Sequence, residues 1–309
     1  MELIRGLHNL RPEHQGCVTT IGAFDGVHLG HRAVLQQLID KGQELDLPTV
    51  VVVFEPLPRE FFAPLQAPAR LMSFREKFLA LKSLGIDRIL RIRFTPAFRQ
   101  LDAQEFINRV FVEGLGSRHL IVGDDFRFGH DRTGNFDVLK AAGQQNGFSV
   151  VATGTVEVFN ERVSSTRIRK ALEESDFALA EMLLGRVYSI SGKVLVGQQL
   201  GRQLDAPTAN VELHRLRAAM SGVYAAEVIV DTKRFFAVAN VGNRPTVNDR
   251  VKAILEVHLL DFHDDIYGKV IEVIFRKKIR DEKKFGSIDI LKAQIHKDFD
   301  EGRRFFGLS

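Results

Sequence analysis

Thr20-Ile21-Gly22-Ala23-Phe24-Asp25-Gly26-Val27-His28-Leu29-Gly30-His31 is the stretch around which the first half of this chain is organised. The apolar run from Val18 to Phe24 reads as a buried strand, Asp25-Gly26 punctuates it, and a helical pattern starts near His31. A strand, a glycine turn and a helix start in that order put backbone N–H groups and a positive dipole end where an anion can sit. Gly22, Gly26 and Gly30 let a ligand come close to the backbone, and His28 and His31 stand at the opening. The chemistry suggested is phosphate handling. Three readings fit these residues. One is an ordinary strand–turn–helix with incidental histidines. Another is a zinc site, which on a helix wants i, i+4 spacing and a third ligand that no Cys cluster supplies. The third is a nucleotidyl-transfer site, in which imidazoles stabilise charge on an α-phosphate during in-line displacement.

Outward from that stretch the first half alternates. Pro48 to Phe54 is β-branched and continuous, as in a strand covered on both faces. Ser73 with Glu76 forms a capping box at a helix start, Ile86 to Phe94 alternates like a strand, and Asp102 with Glu105 opens another helix. His119 to Gly123 and Phe148 to Thr153 read as strands, with a helix from Phe136 to Asn146 between them. The order predicts a parallel sheet with helices on both faces and ligands outside the carboxyl ends of the strands.

Three post-strand loops carry further chemistry. Glu55-Pro56-Leu57-Pro58 is proline-stiffened. In Gly123-Asp124-Asp125-Phe126-Arg127-Phe128-Gly129, two aromatics flank an arginine, which suits a flat ring system and an anion. Arg162-Val163-Ser164-Ser165-Thr166-Arg167-Ile168-Arg169 leads into a helix predicted from Thr166 to Leu184. Its hydroxyls read either as helix caps or, with three arginines, as a triphosphate clamp.

After Leu184-Gly185 the pattern changes. Arg186–Val196, Gly222–Val230, Arg234–Val241, Val251–Leu260 and Val270–Phe275 read as strands joined by turns, followed by a helix over Ser287–Phe299. Successive strands without helices predict a small antiparallel barrel, so the chain divides into domains 1–184 and 185–309. Gly192, Gly197 and Gly201 bracket a loop able to lie over phosphates. Pro207-Thr208-Ala209-Asn210 reads as a turn or as a pair of hard oxygen ligands suited to Mg²⁺. Glu256 and His258 share one strand face, the common arrangement of a solvated polar pair.

The 309 residues, 45% hydrophobic and 27% charged, suffice for two cores. One cysteine, Cys17, rules out an internal disulfide framework. No secretory signal is visible and no apolar run approaches the ~20 residues of a membrane helix, so a cytoplasmic protein is expected. The net charge of +4 divides as −1 in residues 1–184 and +5 in 185–309. An anionic substrate such as ATP explains that bias more simply than a nucleic acid, because no aromatics are interleaved with Arg276-Lys277-Lys278.

G-A-F-D-G-V-H-L-G-H, residues 22–31, resembles the signature of the adenylyltransferase half of bacterial bifunctional riboflavin kinase/FAD synthetases. The resemblance spans nearly the whole chain through G-x-D-F-R-F-G, S-S-T-x-I-R and P-T-A-N. It departs at Leu57, Asp205, Ala206 and Asn243. It implies an α/β Rossmann-like nucleotidyltransferase domain, then a small antiparallel β-barrel riboflavin kinase domain with a C-terminal helix. The implied roles are catalysis by His28, His31 and Glu256, and metal binding by Thr208 and Asn210. Nucleotide binding falls to Gly22, Phe24, Asp25, Gly30, Arg162, Ser165, Thr166, Arg169, Gly192 and Gly197. Flavin binding falls to Pro56, Asp125, Phe126 and Phe128. Riboflavin, FMN, FAD and ATP are the implied substrates and products, with Mg²⁺ as cofactor. No nucleic-acid or membrane partner is expected, and oligomeric state stays open. A nucleotidyltransferase for another phosphorylated small molecule, with an inactive barrel, is the alternative; a flavin-binding sensor without turnover is another.

Overall fold

The structure is a computed structural model that describes residues 1–123, 125–196, 208–245 and 251–308. The chain forms two compact units, one of residues 1–67 with 77–164 and one of residues 68–76 with 165–309.

The first unit is built on a six-stranded parallel sheet of β1 (Glu2–Arg5), β2 (Cys17–Ile21), β3 (Thr49–Glu55), β4 (Arg88–Arg93), β5 (Ser117–Gly123) and β6 (Ser149–Thr153), in the order β1-β4-β3-β2-β5-β6. The unbroken run Val50–Val53 is fully buried, as a central strand covered on both faces requires. From β2 the chain winds outward through β3 and β4, then returns to β5 on the other side of β2. The carboxyl ends of β2 and β5 therefore flank the reversal in strand order, where ligands of such sheets bind. The expected helices α1 (Leu29–Leu45), α3 (Phe74–Ser83), α4 (Ala103–Ile107) and α5 (Phe136–Asn146) are present, and a short α2 (Pro58–Phe62) forms where the sequence reads as a proline-stiffened loop. Asp102 and Glu105 close a capping box on α4, and Asn135 caps α5 through the Val138 N–H. On one face of the sheet Val50, Val52, Leu90 and Ile92 pack against Phe106, Phe111, Leu115 and Leu139. Each such side chain taken fully out of water contributes roughly 1.5–3 kcal/mol. Phenylalanines line up through this core, Phe54–Phe98–Phe106–Phe128–Phe126, with ring centroids 5.2–6.0 Å apart.

The second unit is a closed antiparallel barrel of β9 (Ser189–Leu195), β10 (Ala209–Val211), β11 (Gly222–Val230), β12 (Lys233–Pro245), β13 (Val251–Leu259) and β14 (Val270–Arg280), in the order β10-β13-β12-β11-β14-β9. The strands β7 (Glu157–Val158) and β8 (Glu161–Arg162) form a separate hairpin in the first unit. A long helix, α8 (Ile288–Phe306), covers one barrel face. Phe299 stacks on His258 at 3.8 Å and Phe306 on Phe236 at 4.3 Å.

Three expectations are corrected here. The helix predicted over 166–184 is two, α6 (Ser165–Glu173) and α7 (Phe177–Leu184), because Ser175 turns left-handed and Asp176 caps the second through the Leu179 N–H. Phe177 of α7 packs edge-on to Tyr224 of β11, at 5.9 Å. The C-terminal helix runs past Phe299 to Phe306, where Gly307 supplies the left-handed cap. Asn210 lies in a strand rather than a turn, since β10 pairs with both β9 and β13.

A buried ion pair holds segment 68–76 to the barrel. Glu76 Oε2 accepts from the Arg215 guanidinium at 2.5 Å and from the Ser73 N–H at 2.6 Å, and its Oε1 accepts from the Ser191 N–H at 2.8 Å. Arg215 also donates to the Leu213, Arg70 and Leu71 carbonyls.

Candidate active sites

In the first unit β2 ends at Ile21, earlier than the apolar run suggests, and the backbone then takes positive φ at Phe24, Gly26 and Val27. This coil delivers His28 as the N-cap of α1, with its Nδ1 accepting the His31 N–H at 3.3 Å. The helix therefore starts at Leu29, so both histidines sit in or before its first turn, beside the unpaired N–H groups. Their rings stack at 3.6 Å and 18°, and Phe24 backs His31 at 5.1 Å. Phe24 and Asp25 are buried, so Phe24 acts here as packing behind an imidazole.

Gly30 is fixed by contact rather than by dihedral angle. A Cβ there would lie 3.2 Å from the His28 ring and 3.5 Å from the Val163 carbonyl. Gly22 is similar, with the Phe24 ring 3.1 Å from where its Cβ would be.

His28 is 6% exposed, and His31 is half-buried with an Nδ1 that is out of solvent and has no partner among the described residues. Burial holds the His31 pKa well below the ordinary imidazole value, and the like charges of His28 and Lys77 push it the same way. His31 is thus a neutral imidazole at neutral pH with an unmet hydrogen-bonding atom, and an orphaned buried polar atom asks for a ligand.

Across the reversal from β2, the loop after β5 brings Asp125 within 3.4 Å of Arg162. Phe126 stacks on Phe128 at 5.4 Å, while Phe128 is 6% exposed and lies in the core beside Phe106. Phe126 is therefore the more accessible of the two aromatics. Pro56, half-buried, follows the end of β3 at the same carboxyl end of the sheet. Ser165, Thr166 and Arg169 fall in the second unit, on the first turns of α6, where Arg169 Nε donates to the Ala69 carbonyl at 2.5 Å.

In the barrel, Glu256 of β13 stands opposite Asn210 of β10 on one side and Asn240 of β12 on the other. Directly opposed residues of antiparallel strands share a face, so the three polar side chains form a row. Asn240 Nδ2 donates to Glu256 Oε2 at 3.4 Å. Thr208, half-buried, precedes β10 by one residue. Gly192 lies inside β9, where a Cβ would collide with the Glu212 carbonyl oxygen, so backbone packing already accounts for it. Gly197, Asp205, Ala206 and Pro207 lie outside the described residues.

The side-chain oxygens of Thr208 and Asn210 are donors of the hard type that Mg²⁺ prefers, and the Glu256 carboxylate stands opposite Asn210. Among the described residues no group of three or more His, Cys, Asp or Glu is arranged to hold a metal by itself. Such a set fits an ion that takes most of its ligands from water and substrate phosphates.

Residues 10–167 match the FAD synthetase family and residues 184–306 match the riboflavin kinase family. The bifunctional riboflavin kinase/FMN adenylyltransferase of Pseudomonas fluorescens is 53% identical over 303 residues, 98% of this chain and 97% of the relative. This chain belongs to the bifunctional riboflavin kinase/FMN adenylyltransferase family. The member from Escherichia coli is 50% identical over 311 residues, covering 100% and 99%, and that from Haemophilus influenzae is 47% identical over 307 residues, covering 99% of each. A solved structure described as a macrolide-efflux protein from Streptococcus pneumoniae superposes with a TM-score of 0.75, at 28% identity, over 97% of this chain and 98% of that one. Among the described residues no helix is long and apolar enough to cross a membrane.

Two residues beside these candidate sites escape sequence reasoning. Lys77 is buried on α3, where its charge acts on His31, and Asn240 reaches Glu256 from the neighbouring strand. An alternating strand pattern marks the face of Asn240 but not its partner. A lysine in an amphipathic helix gives no sign that it is buried.

Proposed function

We propose that this chain makes FAD in two steps, first phosphorylating riboflavin to FMN with ATP and then joining the AMP part of a second ATP to FMN, with release of pyrophosphate. The supporting observation is that each family match encloses a set of groups suited to its reaction. The stacked His28/His31 pair at the start of α1 falls within residues 10–167, and the Asn210–Glu256–Asn240 row falls within 184–306. The alternative of an adenylyltransferase for some other phosphorylated molecule is not favoured, because relatives near 50% identity over the full chain carry both activities in their names.

In the kinase step Glu256 accepts the proton of the ribityl 5′-hydroxyl as that oxygen attacks the γ-phosphorus, and ADP leaves. Asn240, donating to Glu256 Oε2, orients the carboxylate. Thr208 and Asn210 would hold Mg²⁺, which when bound offsets the phosphate charge. In the second step a phosphate oxygen of FMN attacks the α-phosphorus of ATP and the α–β bridging bond breaks. His28 and His31 donate hydrogen bonds to the α-phosphoryl oxygens as negative charge builds there. A neutral His31 does this without a proton changing hands. Arg162, Ser165, Thr166 and Arg169 are assigned to the nucleotide phosphates. Asp125, Phe126 and Pro56 are assigned to the flavin, with Phe128 supporting Phe126 from the core. Domains 1–184 and 185–309 carry the adenylyltransferase and the kinase, and we place the protein in the cytoplasm, with the small-molecule substrates as its partners.

The test is chromatographic analysis of the purified chain with riboflavin, ATP and magnesium. FMN and then FAD are expected, and His28→Ala should accumulate FMN with FAD formation slowed about 10²–10³-fold, the usual cost of losing one transition-state donor. Absence of both products would end this reading.

A further inference from the structure

The carboxyl end of the sheet carries a cationic cluster on strands other than the one that leads to the histidines. β1 ends on Arg5, and β4 carries Arg91 and Arg93 at alternate positions. In the parallel ladders Arg5 is partnered with Arg91, and Glu55 with Arg93, so these four side chains leave the sheet on one face. The intervening residues Ile4, Leu90 and Ile92 point the other way, into the phenylalanine-rich core. With Gly6, His8 and Pro56 the four charged residues line a cavity of about 400 Å³. That volume is within the range of small-molecule sites, roughly 300–1,000 Å³.

The lining is built. Gly6 has φ +91°, and a Cβ there would lie 2.8 Å from the His8 ring, so glycine allows the imidazole to fold over the strand end. Asn9 fixes the turn by donating from Nδ2 to the Arg5 carbonyl at 2.7 Å, and the same nitrogen lies 3.2 Å from His8 Nε2. Three guanidiniums face one carboxylate, Glu55. Among the described residues the Arg5 and Arg93 guanidiniums have no ion pair, hydrogen bond or ring contact. Uncompensated positive charge in a concavity concentrates anions, and planar guanidinium forks match phosphate oxygens two at a time.

We propose that this cavity is an anion site for a small molecule bearing a di- or triphosphate. Arg5 and Arg93 stand at diagonal positions of neighbouring strands, a spacing that suits linked phosphoryl groups, and the excess of two positive charges calls for a ligand of at least matching negative charge. The site is distinct from the nucleotidyl-transfer position, which follows β2, whereas these residues come from β1, β3 and β4. Pro56 is the one lining residue also assigned to the flavin, so the test separates the two.

Calorimetric titration of the full chain with inorganic triphosphate, without magnesium, counts the binding equivalents. Arg5→Gln/Arg93→Gln should bind one equivalent fewer than the unaltered chain, and Arg5→Lys/Arg93→Lys should regain it at weaker affinity and with a steeper loss in salt. The His8 imidazole resonance should shift during titration of the unaltered chain and of the lysine variant, and stay fixed in the glutamine variant. ATP as a competitor separates the sources: displacement marks a nucleotide site, and persistence of the extra equivalent marks an inorganic polyphosphate site. Rates of FMN and FAD formation at saturating substrate should be unchanged in both variants, and circular dichroism melting confirms their fold. Equal stoichiometry in all three chains with an unmoved His8 signal would overturn the proposal, leaving arginines that merely guard an edge strand against pairing. A raised KM for FMN without a lost equivalent would also overturn it, and would give the cluster to the flavin phosphate.

Discussion

Arg215→Met is the most informative single perturbation of the barrel unit. The Arg215 side chain is fully buried and Glu76, its partner, is 10% exposed. Methionine fills the stem's volume but leaves the carboxylate with two N–H donors, from Ser73 and Ser191, and no counter-charge. It also leaves the Leu213, Arg70 and Leu71 carbonyls without a donor they now use. Removing one side of a buried pair costs about 3–5 kcal/mol. At a urea dependence of about 2 kcal/mol per molar, the unfolding midpoint falls by about 2 M. The chain has three tyrosines and no tryptophan, and Tyr188, Tyr224 and Tyr267 all lie in the second unit. Tyrosine emission during urea titration therefore follows this unit alone. Adding Glu76→Gln to Arg215→Met removes the unpaired charge, so the double variant should be less unstable than the two single losses summed, by roughly 0.5–3 kcal/mol. A midpoint shift below about 0.5 M for Arg215→Met, or strict additivity in the double variant, would refute the argument that a desolvated pair holds segment 68–76 to the barrel.

Other outcomes are expected at the two sites. Gly30→Ala puts a methyl group 3.2 Å from the His28 ring, and the displaced imidazole should slow FAD formation about tenfold while FMN formation is unchanged, as read from a product time course. Glu256→Gln should cut riboflavin phosphorylation about 10²–10⁴-fold while the chain still adenylylates supplied FMN. Since the His31 pKa is depressed in the folded chain, the unfolded chain takes up the proton first on acidification. The stability this histidine contributes is complete above its unfolded pKa of about 6.5 and is lost as pH falls below it. Thermal melts from pH 7 down to pH 5 should show a fall that His31→Gln makes shallower.

Local features of the chain are readable because their causes are local. The capping boxes Ser73/Glu76 and Asp102/Glu105 form as their spacing demands, because each closes within three residues. The continuous Val50–Val53 run announces a doubly covered strand, and the helix over Phe136–Asn146 agrees residue for residue with its pattern. The break between α6 and α7 was hidden because Glu174-Ser175-Asp176 interrupts no apolar period; one left-handed serine does it. β1 is not legible in the sequence because four residues carry too little pattern, and an edge strand is defined by the neighbour it pairs with.

At the sites the division is similar. The H-x-x-H spacing, the glycines beside it and the strand–turn–helix order are sequence properties, and they sufficed to place the loop between β2 and α1. The burial that keeps His31 neutral and the pairing of Asp125 with Arg162 arise only when distant segments meet. The same is true of Glu76, legible as a helix cap and illegible as the partner of an arginine 139 residues away. Short-range geometry is written into neighbouring residues, whereas desolvation and charge depend on what the folded chain brings alongside.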